Sequence, residues 1–345
     1  MKTLCKLILP AFIVAAPAAS ADPVADFYRD QTVTILVSAD AGGGFDIYAR
    51  ALQPYLSSHL PGKPTVIVKN MPGAGGIVAM NHLYNAAPKD GTVVGIVHNT
   101  VPFSPLLKKR NTRFDARAFH WVASLDRLPY LCVSWHGSKV KTFDDVLKHE
   151  LVVGSTGAGS GMTTFPLLLN RMFGAKFKVV SGYKGGNNIY LAMERGEVEG
   201  RCSLTYPTLA KVHPEWLAQK KINIFAVLST ERDPDWPQAL KEASFVYDRA
   251  KTDEQKAIFD LAFAGAEMDR PMPMPPGTPA ERVRAVAGAI AAAAKDPAML
   301  ADFEKRGLDL KYTPGEKVAA LIARIYATPP EIVDKAIDMM KAPKR

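Results

Sequence analysis

Between Val33 and Asn99 one pattern occurs three times. A short run of β-branched and apolar residues gives way to glycine, hydroxyl or other small residues, and a new segment follows. The apolar runs are Val33–Val37, Thr65–Val68 and Thr92–Val97, and the segments after them are Ser38–Asp46, Lys69–Gly76 and His98–Pro102. From Asp46 onward, Tyr48, Leu52, Tyr55 and Leu56 share one face at helical spacing, with Pro54 placed to kink the helix or weaken its bonding. Ile77 to Ala87 reads as a second helix, closed by the turn Pro88-Lys89-Asp90-Gly91. Strands alternating with helices predict a parallel sheet with crossover helices, and such sheets bind ligands beyond the carboxyl ends of their strands. Glycine lets backbone come close to a ligand, and the free N–H groups of helix starts attract anions. Three such loops at one sheet edge predict an anion site built mainly from backbone.

The device recurs further on. Phe119 to Val133 reads as the exit from the first domain, and Thr142–Leu147 as a helix with a capping start. Leu151–Val153 is a strand ending in the glycine-hydroxyl loop Gly154–Thr163, ahead of an apolar helix over Phe165–Met172. Lys176–Ser181 is a strand, Tyr183–Asn188 a loop and Ile189–Arg195 a helix. Val198–Leu204 leads into Tyr206-Pro207, and Ile222–Leu228 is a further strand. Two similar α/β lobes are therefore expected. After them come an apolar Phe259–Phe263, an extended proline-rich Arg270–Pro279, and helices over Ala280–Ala294 (capped by Thr278), Lys295–Gly307 and Pro314–Lys341.

The chain opens with Lys2 and Lys6, an apolar core over Leu7–Ala16, and Ala19-Ser20-Ala21, the pattern of a cleavable secretory signal. That core is too short to span a bilayer. Cys5 precedes it, whereas a lipid-anchored cysteine would follow it. An exported, soluble mature chain beginning near Asp22 is expected. The formal net charge of +9 becomes +7 without the two leader lysines, which suits attraction of anions. Basic runs such as Lys108-Lys109-Arg110 and Lys220-Lys221 lack interleaved aromatic residues, so nucleic acid is not an expected partner. Two cysteines, Cys132 and Cys202, remain in the mature chain; in an oxidising compartment they form either a disulfide or two buried thiols.

Catalytic motifs fail on spacing. No glycine loop ends in Gly-Lys-Ser/Thr or carries G-x-G-x-x-G, and Ser160 sits in Ala158-Gly159-Ser160-Gly161-Met162 rather than G-x-S-x-G. The seven histidines show no metal spacing. No enzyme activity, cofactor or metal is expected.

The segments Val33–Arg50, Asn70–Gly76, Pro88–Thr92, Gly154–Thr163, Tyr183–Gly186 and Pro275-Pro276-Gly277-Thr278-Pro279, in that order, resemble the signatures of the Bug family. These are extracytoplasmic solute receptors of tripartite tricarboxylate transporters, and the resemblance covers essentially the mature chain. It implies a type II periplasmic binding protein with two α/β lobes, each a mainly parallel sheet flanked by helices. Lobe I would hold residues 22–119 and 264–345, and lobe II residues 120–263. The implied protein is a periplasmic monomer. It closes on a small organic carboxylate, either a di- or tricarboxylate or an aromatic acid, and delivers it to membrane transporter subunits. A second reading has the liganded receptor dock on a sensor kinase.

Carried over residue by residue, the resemblance points to Gly42, Gly43, Asp46, Ala74 and Gly75 in the first two loops. The third loop offers Asn99 and Thr100, and Thr156, Gly157, Ser160 and Tyr183 match contacts across the cleft. Asp46 serves either the helix start or the ligand, and Asn99 and Thr100 either donate to a carboxylate or cap the next turn. Two departures stand out. Gly196-Glu197-Val198-Glu199 is followed by Gly200-Arg201-Cys202-Ser203-Leu204, so Ser203 stands where the family has an aspartate. Arg201 is then either an anion partner or a surface residue. Ser38-Ala39-Asp40 stands where the family has Pro-Phe, and Asp40 would repel an anion unless it points away. The usual strand order of such a lobe makes the strands carrying Cys132 and Cys202 neighbours, which implies a disulfide.

Overall fold

The structure, a computed structural model, describes residues 22–108, 111–157, 160–183 and 185–341. The expected leader, with Lys2, Cys5, Lys6 and the cleavage site at Ala21, lies outside the described residues, as do Ala158, Gly159 and Lys184.

The three opening runs form β1 (Thr32–Val37), β2 (Thr65–Asn70) and β3 (Val93–Ile96), a parallel sheet in the order β2-β1-β3. Val33, Ile35 and Val37 of β1 pack into one core and Leu36 into another. Burial on both faces is why apolar residues stand at the consecutive positions Ile35-Leu36-Val37 rather than alternating. Helices α1 (Gly44–His59) and α2 (Ile77–Asn85) make the crossovers. Pro54 lies inside α1 without ending it, because Tyr48, Leu52 and Leu56 on the buried face hold the helix on the sheet.

β4 (His120–Asp126) follows, and its Val122, Ala123 and Leu125 join the core of Val33 and Ile35. The chain then builds β5 (Tyr130–Trp135), β6 (Leu151–Ser155), β7 (Phe177–Ser181), β8 (Gly200–Leu204), β9 (Ile222–Leu228) and β10 (Ser244–Phe245). These form one sheet in the order β10-β9-β5-β8-β6-β7, with β5 antiparallel to both its neighbours and the other pairings parallel. Helix α3 (Gly161–Phe173) packs into the core on one face of this sheet and α4 (Gly186–Glu194) into the core on the other. Cys132 and Cys202 stand opposite each other on β5 and β8, both fully buried, and are joined by a disulfide with their Cα atoms 4.0 Å apart.

The Phe259–Phe263 run belongs to a helix, Asp253–Phe263. β11 (Asp269–Met274) and β12 (Thr313–Pro314) then pair antiparallel with β4, and β11 also meets the β3 edge through Val97 N–H to Pro271 O at 3.1 Å. Thr278 does not cap the following helix. Ala280–Ala293 begins after Pro279, and the Thr278 hydroxyl donates to Pro275 O instead, closing the preceding turn. No helix among the described residues is long and apolar enough to cross a membrane.

Candidate functional site

The carboxyl ends of β1 and β3 are tied together by one side-chain pair. Ser38 Oγ accepts the backbone N–H of His98 at 2.9 Å and lies 2.8 Å from His98 Nδ1. Burial holds His98 below the usual histidine range, so the ring is neutral. Phe45 packs on it with ring centroids 4.4 Å apart. Gly76 closes the cluster: a Cβ there would lie 3.0 Å from His98 Nδ1 and 3.2 Å from Ser38 Oγ.

Gly76 ends a run of four consecutive residues with positive φ, Gly73, Ala74, Gly75 and Gly76. The chain curls so tightly that Gly76 N–H bonds back to Gly73 O at 3.0 Å. Ala74 and Gly75 are exposed at the crest, directly before α2. A curl of backbone N–H groups leading into a helix start is a concavity suited to an anion.

Asp46 holds the first loop in place from inside. It lies in the first turn of α1, is 2 % exposed, and accepts from Gly42 N–H (2.8 Å), Arg50 Nε (2.9 Å) and Asn70 Nδ2 (3.0 Å). Burial alone would raise its pKa; the hydrogen bonds from Arg50, Gly42 and Asn70 outweigh that and hold it below the usual carboxylate range. The N-cap position falls to Gly43, without a side-chain bond. Asn70 also reaches Ala39 O at 3.0 Å, so one carboxylate and one amide lock the first loop to the end of β2. Asp40 is exposed.

In the third loop, both amide hydrogens of Asn99 are engaged within the protein, donating to the Tyr130 hydroxyl and to Gly265 O, each at 2.9 Å. Asn99 thus joins the end of β3 to the start of β5 and to the returning chain. Thr100 is exposed and makes no side-chain capping bond to the turn that follows.

On the six-stranded sheet, Ser155 Oγ and Thr163 Oγ1 lie 2.6 Å apart, and the Thr163 hydroxyl donates to Gly157 O at 2.8 Å. Ser160 caps α3, accepting Met162 N–H at 3.2 Å, while Thr156 is exposed. Tyr183 is half-buried, and its N–H donates to Ser155 O at 3.2 Å, which brings the loop after β7 beside that after β6. Ser203 is a bulge: the register passes from Leu131–Leu204 to Cys132–Cys202 and leaves it without a partner on β5, at φ +59°. Bulges re-aim side chains near functional sites. Here the Ser203 hydroxyl sits at the start of α3, so close that a Cβ on Gly161 would lie 2.5 Å from it.

Two clusters result, one around Gly42, Asp46, Ala74 and Gly75 and one around Gly157, Ser160 and Ser203. No hydrogen bond among the described residues joins the first to the second. A cavity of about 900 Å³ opens elsewhere, between Arg127–Pro129, Tyr206–Lys211, Asp235–Leu240 and residues 300–311, and holds none of the expected site residues. Among the described residues no group of three or more His, Cys, Asp or Glu side chains is placed to hold a metal ion.

Sequence reading missed Ser38 and His98, and left Arg201 as either an anion partner or a surface residue. Ser38 directly follows β1 and His98 stands two residues after the end of β3, the position that marks the other loops. Arg201 is not at the surface: it is 5 % exposed on β8, and a charge inside an apolar strand was the available signal.

The family model described as TctC, tripartite tricarboxylate transporter family receptor, matches residues 48–338. The chain belongs to this family. Its fold is that of solved members. A TctC solute-binding protein from Polaromonas, crystallised without ligand, is 20 % identical, with a TM-score of 0.67 over 88 % of this chain and 98 % of its own. A Rhodopseudomonas palustris protein with adipate is 21 % identical, with a TM-score of 0.62 over 89 % and 97 %. MatC of the same organism, with bound malate, is 20 % identical, with a TM-score of 0.59 over 90 % and 99 %. The receptor thus has the two-lobed α/β fold of periplasmic binding proteins.

Proposed function

We propose that this receptor captures a small organic carboxylate, either a di- or tricarboxylate or an aromatic acid, between two lobes in the periplasm. It hands the ligand to the membrane subunits of a tripartite transporter and does no covalent chemistry. The reading rests above all on the left-handed run from Gly73 to Gly76, a backbone anion cradle at a helix start beside the neutral His98 ring. Malate and adipate in two proteins of the same fold support a carboxylate as its occupant.

The first lobe in this reading comprises β1–β4 with β11 and β12, and the second β5–β10; this moves the expected boundary from residue 119 to Asp126, because β4 pairs with β11 and β12. The chain passes between them after Asp126 and again before Asp269, and Asn99 spans the passage. Ligand contacting both lobes at once stabilises the closed arrangement, because its affinity is higher for the state in which both sets of contacts exist. The receptor acts as a monomer.

A thermal-shift screen of chain 22–345 with mono-, di- and tricarboxylates, aromatic acids and amino acids tests this. Ligand at a hundred times its dissociation constant stabilises by about 2.7 kcal/mol, well within the resolution of such a screen. A shift confined to carboxylates is expected; a shift with amino acids alone, or with nothing in the panel, would count against the proposal.

A further inference from the structure

Arg201 is the second residue of β8, inside the six-stranded sheet, and no carboxylate among the described residues faces it. Its Nε is buried without a hydrogen-bond partner. Glu199, two residues earlier, is turned to Ser138 Oγ (3.1 Å) and Val152 N–H (3.3 Å). What Arg201 does touch is the Tyr190 ring, whose centroid lies 4.6 Å from the guanidinium carbon, and the Tyr190 hydroxyl is itself buried without a partner. One ring face offsets only part of the cost of burying a cation, which folds otherwise meet with a counter-charge.

The other flank of the guanidinium is the start of α4. A Cβ on Gly186, the first residue of that helix, would fall 2.7 Å from Arg201 Nη1. The N-cap, Gly185, has no side chain to satisfy the first-turn N–H groups, so these donors and the cation lie together. The helix starts at the same sheet edge as the expected site: Gly182 and Tyr183 N–H both donate to Ser155 O, at 3.1 and 3.2 Å. Without a side chain at 186, the start of α4 packs directly against the guanidinium.

We propose that Arg201 and the start of α4 form a second anion subsite, which takes the distal carboxylate of a dianionic ligand whose first carboxylate lies in the Gly73–Gly76 cradle. This rests on the carboxylate-receptor reading and narrows it: the ligand carries two carboxylates, and the planar fork of the arginine holds the second one bidentately.

Isothermal titration of chain 22–345 with length-matched pairs, succinate against butyrate and adipate against hexanoate, is the test. The native chain is expected to prefer the dicarboxylate of a pair. Arg201→Met is expected to lose roughly ten- to a hundredfold in dicarboxylate affinity and to leave the monocarboxylate unchanged. Gly186→Ala, which pushes a methyl group into the guanidinium without removing the charge, is expected to lose the same preference, and stands in if the methionine variant does not fold. Arg201→Met binding dicarboxylates as the native chain does would overturn the subsite and leave the receptor reading intact. Chloride or inorganic phosphate that binds only when Arg201 is present, and does not compete with succinate or adipate, would overturn it too, since a resident inorganic ion would then be the counter-charge. If the native chain binds none of the four acids while the wider carboxylate screen is also blank, the receptor reading fails and the subsite with it.

Discussion

Asp126 and Asp269 stand opposite each other across β4 and β11, where the chain passes between the two sheets. Arg270 pairs with Asp269 and lies 3.8 Å from Asp126, with its guanidinium 3.8 Å from the centre of the Tyr48 ring. The Tyr48 hydroxyl donates to Asp126 at 3.1 Å, and Arg127 N–H at 2.8 Å. One cation thus serves two buried acids. Burial first, then repulsion from Asp269, pushes Asp126 up to about 7, and burial raises Asp269 as well.

The sign of the resulting pH dependence follows from linkage. Between the ordinary aspartate value near 3.8 and about 7 the native state keeps a proton that the unfolded chain has lost. This contribution to stability is full below that window and fades as pH rises through it, at up to about 1.4 kcal/mol per pH unit. Asp46, held below its usual range, titrates under the window and does not mask it. His98, held below its usual range, contributes the opposite sign in part of this window, so the test is a difference: in urea denaturation, the stability of the native chain relative to Asp126→Asn should fall as pH rises through the window. An unchanged slope in the variant would assign the dependence to other groups.

Asp46→Ala leaves the Gly42 N–H, Arg50 and one Asn70 donor without their acceptor. A loss of about 1–3 kcal/mol in stability, seen as a lower urea midpoint at constant m, is expected. Asp46→Ala with native stability and abolished ligand binding would show instead that the carboxylate acts on the ligand directly.

Gly76→Ala strains the backbone at φ +96° and drives a methyl group against His98 Nδ1 and Ser38 Oγ. A cost of about 1–2 kcal/mol in stability is expected from the left-handed conformation, together with weakened carboxylate binding by calorimetry. The same stability loss at a remote left-handed glycine such as Gly307 should leave binding untouched.

The disulfide between Cys132 and Cys202 closes a sequence separation of 70 residues. Replacing both cysteines with alanine should cost about 2–4 kcal/mol, mostly by freeing the unfolded chain. Non-reducing peptide mapping that finds both thiols free would remove the basis of that expectation.

What the sequence made legible was local. β1, β2, β3, β6, β7 and β9 announce themselves as β-branched runs, and the glycine loops mark their carboxyl ends. What it hid was set by partners far along the chain. β4 pairs with β11 and β12, segments more than a hundred residues away, and no periodicity encodes that pairing. Thr278 carries the composition of a cap, yet its hydroxyl bonds the preceding turn. The surface reading of Arg201 rested on charge being usually solvated, and only the sheet around it excludes that alternative. Asp46 and Asn99 were readable as polar loop residues, but that their hydrogen-bonding groups are already engaged by Arg50, Asn70, Tyr130 and Gly265 depends on tertiary neighbours.

The central claim is that two lobes close on a carboxylate. Small-angle X-ray scattering of chain 22–345, with and without a carboxylate found to shift its melting temperature, tests this most directly. A smaller radius of gyration with ligand, lost in Gly76→Ala at the same ligand concentration, is the expected result. Binding with no change in the scattering curve would contradict closure, and with it the proposal that both clusters of loops hold the ligand together.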